Sequence, residues 1–216
     1  MVACGRSVTG LGVSAEESRL VGKPTCARPV GGQQTRKLQL TQPRIHLAVF
    51  KAIEWLIAVG GCAFILVLGI SAFWEPDIRW LHFFQAWMYI ATIALSLRGN
   101  SWGYFIGISD AGLWDYTTIF ANPFFFNGLH QLSQWMNTGQ LGRPDLLIAV
   151  PAWFSNLLVV IGCVWAYSRL PTKSPLDAGR FIIAFALTTG FFALDIALFQ
   201  PRYLSLFPRM LHPRLP

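Results

Sequence analysis

Charge is what this chain has least of. Lys, Arg, Asp and Glu make up 12% of its 216 residues, about half of the roughly 25% usual in soluble domains. A large water-facing surface is thereby excluded. The four cysteines (Cys4, Cys26, Cys62, Cys163) form no CxxC or metal-like spacing, so neither a zinc site nor a disulfide framework is implied. Cys62 and Cys163 lie in apolar runs and read as small packing residues. The four histidines are isolated. Without an HxxxH or HExxH array, no di-iron or zinc centre can be read. A GxxxxGK[ST] phosphate loop is missing, which argues against a pump subunit with its own nucleotide site. A GxSxG nucleophile elbow is missing too. Neither metal nor cofactor is expected.

What the chain does have is apolar length. Runs at 53–73, 78–97, 146–167 and 181–199 are each long enough, at about 1.5 Å per residue, to cross a hydrocarbon core of about 30 Å. Nine Trp and seventeen Phe suit aromatic belts at two membrane interfaces. The expected fold is all-α: a polytopic integral membrane helix bundle of four transmembrane helices plus a fifth or re-entrant segment.

The ends differ from the middle. Residues 1–44 hold seven bases against Glu16 and Glu17, without apolar periodicity, and read as a disordered basic tail. No apolar region precedes Leu47, so a cleaved secretory signal does not fit. An organellar transit peptide is weakened by Glu16 and Glu17. Because no Met falls between Met1 and Met88, an over-extended reading frame would need a non-Met start. A basic tail before the first span argues for a cytoplasmic N-terminus and can also touch anionic lipid. Its bases are scattered without aromatic interleaving, so nucleic acid is not an expected partner. The bundle is expected over 45–200, in the inner or plasma membrane, followed by a basic, proline-rich surface tail over 201–216.

Several signals punctuate the bundle. Trp74-Glu75-Pro76-Asp77 makes a tight turn between the first two runs. Arg98-Gly99-Asn100 ends the second, with Gly and Asn able to take left-handed geometry. Pro144 and Asp145 suit a first helical turn, and Pro151 predicts a kink. The segment 103–126 is apolar but contains Asp110 and Asp115. A charge at a helix centre costs about 2.5–3.5 kcal/mol on insertion scales. That segment is a fifth span buried by its neighbours, a re-entrant element or an interfacial stretch. Asn122-Pro123 then opens an amphipathic surface helix over 123–137, stopped by Gly139. Its apolar face carries Phe125, Leu129, Leu132 and Met136.

Polar residues inside a membrane are the first place to look for function. Asp195, one turn from the end of the last run, shares a face with Thr188. With five spans, His82, Gln85 and Asp195 fall in one leaflet with Asn122 nearby, and a His–Asp pair can relay a proton. With four spans they lie on opposite sides. Asp110 and Asp115 are about 140° apart on a helix and make no single-face dyad; capping by Asp110 is the simpler role. Asn156 reads as interhelical glue. Ala186, Gly190, Ala193 and Ala197 form a small-residue face for close packing, within the molecule, with another membrane protein or in a homo-oligomer. Three functions compete. One is a non-enzymatic transporter-like module or accessory subunit of a membrane complex. Another is an acid–base enzyme acting on a lipid or isoprenoid. The last is a binder of an apolar ligand such as a quinone or sterol.

Overall fold

The structure, a computed structural model, describes residues 32–211 in backbone and 51–210 in side-chain detail. Among the described residues every regular element is a helix. The helix bundle is the unit that begins at Thr41. The tail expected over 1–44, with its transit-peptide and reading-frame alternatives, falls on residues 1–31 outside the described ones. Residues 32–44 are helical, because helix α1 runs from Gly32 to Trp74.

Pro76 ends the α1 hairpin turn by opening a short 3₁₀ turn, Pro76–Ile78, as a residue without a backbone donor should. Helix α2 is Arg79–Ser96. Gly99 takes a left-handed φ of 66°. Asn100 does not; its side chain accepts from the Trp102 amide at 3.0 Å and so starts helix α3, Ser101–Tyr116. That helix widens into a π turn, Thr117–Ala121, sealed by Asn122 N–H donating to Thr117 C=O at 2.8 Å. Helix α4, Phe124–Thr138, follows and stops at Gly139, whose φ is 69°. Helix α5, Pro144–Leu147, breaks at Ile148 before helix α6, Ala149–Ser168. The break sits one turn before Pro151, which has no N–H to carry the ladder back across it. Helix α7 is Asp177–Phe199. It starts earlier than the apolar run, at Asp177 in its first turn, whose carboxylate accepts from Ser174 N–H, Tyr167 O–H and Arg180. Past Pro201 the chain does not trail away as expected. It folds into a 3₁₀ turn, Pro201–Ser205, and helix α8, Leu206–Leu211.

Among the described residues, three helical stretches are long and apolar enough to cross a membrane: Lys51–Trp74, Pro144–Ser168 and Asp177–Phe199. In α2 the apolar run is diluted by His82, Gln85, Trp and Tyr, and α3 is only 16 residues long with two Asp.

Side chains fix how the helices run. Phe105 packs on Tyr167 and Phe181, with ring centres 5.1 and 5.9 Å away. The starts of α3 and α7 therefore meet the end of α6. At the opposite end Phe84 stacks on Phe199 at 5.2 Å, and Gln200 donates to the Asp77 carbonyl. The start of α2 thus lies beside the end of α7. Helix α3 is the inner one, packed by α2, α6 and α7. Gly107 lets it approach: a Cβ there would lie 2.7 Å from both Cys163 Sγ and Thr92 Cγ2. The core is built from Ile57, Phe64, Tyr89, Tyr104, Val159 and Cys163. Large exposed apolar residues crowd α1, α2, α6 and α7, including Leu66, Trp87, Phe154 and Leu187, and none lies on α3.

Candidate functional site

A cavity of about 350 Å³ opens at the end of the bundle where α1 and α7 finish and α2 begins. Its walls are apolar and aromatic, with Phe64, Trp114, Phe124 and Phe192 among them. Polar groups converge on it from four places: Ser71 at the end of α1, His82 and Gln85 on α2, Thr117 and Asn122 around the π turn, and Asn127 on α4. The π turn matters here, since the extra residue re-aims side chains at the end of α3. Gln85 Oε1 only accepts, so His82 Nδ1 donates to it at 3.3 Å, and His82 Nε2 accepts from the Ser71 hydroxyl at 3.0 Å. The imidazole is thus held from both edges by neutral partners.

The far wall is the C-terminal segment. Tyr203, Leu206, Phe207 and Met210 line the cavity, and Tyr116 O–H donates to the Met210 carbonyl at 2.8 Å, tying α8 to the end of α3. At the rim, Arg143 grips Asp145 with two nitrogens, its Nε 3.0 Å from Oδ1. That bond, and then the charges of Asp145 and Glu75, hold the guanidinium above its ordinary pKa.

The expected convergence is met only in part. His82, Gln85 and Asn122 share the cavity. Asp195 does not: Phe192 and Ile196 on either side of it line the cavity while Asp195 turns away. It lies on the buried face with Ala184 and Thr188, 4% exposed. The His82–Asp195 relay is not formed, because the rotation of α7 that packs Ala184 inward carries Asp195 with it.

No protein-family model, curated protein or solved structure matches this chain. Functional argument therefore rests on the chemistry of the site.

A second polar cluster lies in the core behind the cavity wall. Tyr89 O–H donates to Asn156 Oδ1 at 2.7 Å, joining α2 to α6. Asn156 also lies beside Asp115, but its amide nitrogen makes no hydrogen bond of good geometry. Asp110 is fully buried, and neither of its oxygens has a partner among the described residues. It does not cap a helix as expected; α3 is continuous through it, and the cap is Asn100. Phe64 separates this cluster from the cavity, its ring 4.4 Å from Tyr89 and 5.2 Å from Trp114.

The small-residue face of α7 points outward. Ala186, Gly190 and Ala197 are exposed and Ala193 is half-buried, and a Cβ at Gly190 would meet nothing within 4 Å. It does not serve packing within the bundle. Among the described residues no group of three or more His, Cys, Asp or Glu is placed to hold a metal ion. Ser71, Glu75 and Asn127 were not anticipated, and nothing in their local spacing marks them. The C-terminal wall did carry a signal: 203, 206, 207 and 210 follow the i, i+3, i+4, i+7 pattern of one helical face.

Proposed function

We propose that this is a five-span integral membrane protein that binds an amphiphilic small molecule in the cavity, as a binding or transport module. The observation that carries the reading is the cavity itself. It is apolar and aromatic over most of its wall, with His82, Gln85, Ser71, Asn122 and Asn127 converging at one end of the bundle. A volume of about 350 Å³ falls in the range of small-molecule sites, roughly 300–1,000 Å³. An acid–base enzyme fits less well. The cavity histidine has only neutral partners, and Asp110 and Asp195 face elsewhere.

The alternating direction of neighbouring helices supports five spans, with α3 as the third. Enclosure by α2, α6 and α7 gives its two aspartates the protein surroundings that intramembrane acids need. The basic tail then lies on the cytoplasmic side, and the cavity opens toward the opposite face.

The test is native mass spectrometry of the protein extracted gently from its own membrane, beside an Ile196→Trp variant that fills the cavity. The reading expects a retained small amphiphile on the wild type that is lost from the variant, both running as the same folded species on size exclusion. Identical adducts on the two proteins would overturn it.

A further inference from the structure

The charges around the cavity narrow what it can hold. Among the described residues no Lys or Arg lines it; Glu75, Asp145 and His82 do. Asp145 is already neutralised, since both of its oxygens accept from Arg143. Arg143 also feels the Glu75 charge, but one guanidinium cannot balance two carboxylates, and Glu75 makes no salt bridge among the described residues. Arg202, on the C-terminal segment, lies over the Tyr203 ring, 5.0 Å from its centre, and does not line the cavity. The surplus at this rim is one half-buried carboxylate, Glu75, beside aromatic walls that include Trp114 and Phe124. Ring faces and a carboxylate both attract a cation. An anionic head would meet Glu75, while the one guanidinium at the rim, Arg143, is already paired with Asp145. A neutral head would leave Glu75 half out of water and unpaired, which costs more than pairing it.

We infer that the amphiphile is a lipophilic cation, an amine or quaternary ammonium on an apolar body, with Glu75 as its counter-ion. This deepens the binding function proposed above and rests on it. The cation sits at the rim against Glu75 while its apolar part enters between Phe64 and Phe192. Ser71, Asn122 and Asn127 supply neutral oxygens along the way.

Three probes with one chain length separate the possibilities: decylamine, decanol and decanoate. Each is titrated by calorimetry into the full chain in zwitterionic nanodiscs, with partitioning subtracted using Ile196→Trp nanodiscs. The inference expects saturable binding in which the amine is preferred over the alcohol by about tenfold, the scale of one charge-assisted contact plus a cation–π contact, with decanoate weakest. In Glu75→Gln the preference should fall to about one, and Glu75→Asp should keep most of it. Equal binding of amine and alcohol by the wild type, or an undiminished preference in a folded Glu75→Gln, would overturn the cation assignment and leave the binding function standing. Saturable binding of none of the three would overturn both.

Discussion

Single residues decide how the polar interior is held. Among the described residues, Tyr89 and Asn156 form the one hydrogen bond between two fully buried side chains of different helices. Interhelical bonds of this kind contribute about 0.6–2 kcal/mol. Tyr89→Phe removes the donor and leaves Asn156 Oδ1 as buried and unpaired as its nitrogen already is. Mixed-micelle SDS titration should show a loss of about 1 kcal/mol, with the helical content unchanged. No loss would mean that Asn156 has another donor in the membrane. At this scale the sequence was half legible. Asn156 stands out as an amide in an apolar run, and His82 and Gln85 are an i, i+3 pair on any helix. Their partners were not visible. Tyr89 reads as one more aromatic among many, and Ser71 reaches His82 only because the Glu75-Pro76 turn folds α1 back on α2. That Asp195 turns away from His82 has a related cause. Topology sets its depth, but which way it faces depends on how all of α7 rolls against its neighbours.

At the scale of elements, the glycine-rich stripes look alike in sequence and behave differently in the fold. Gly60 on α1 lies against α6: a Cβ there would come 2.9 Å from the Ser155 carbonyl oxygen and 3.1 Å from Leu158 Cβ. Backbone on that side leaves no side chain to swing away, so Gly60→Ala must push the helices apart. Overpacking of this sort costs about 1–3 kcal/mol. Gly190→Ala meets nothing and should be neutral or stabilising, since Gly costs a helix roughly 0.5–1 kcal/mol relative to Ala. Unfolding the two variants side by side checks the assignment; equal losses would mean that α7 packs through its Gly190 face. Helix positions were largely readable from apolar length, proline and glycine. The kink at Pro151 and the stop at Gly139 follow from local backbone chemistry alone. Which stripe faces inward was not readable, because a small residue suits a close contact and an empty face equally well. The C-terminal helix was missed because Pro201, Pro208 and Pro213 argue against a long helix, and the short one that closes the cavity needs only a turn or two.

For the whole molecule, the topology turns on whether α3 crosses the membrane. On composition alone it is a poor span, with two aspartates and only 16 residues before the π turn. It inserts well only if its neighbours insert with it. The packing meets that condition: α2, α6 and α7 surround it, and its large apolar side chains are withheld from the surface. The position of α3 is thus a property of the assembled bundle. A reporter fused after Gly139 would cut away α6 and α7 and so remove the helices that shelter Asp110 and Asp115. The measurement has to be made on the full chain. Native cysteines are replaced by Ser, a single Cys is placed at Arg98 or at Gln140, both exposed, and an impermeant maleimide is applied before and after permeabilisation. Five spans put the two positions on opposite sides, with Gln140→Cys labelled from outside and Arg98→Cys only after permeabilisation. If both label from the same side, α3 and α4 lie on one face of the membrane. The cavity would then have no continuous wall across the bilayer, and the proposed site would fail with the topology.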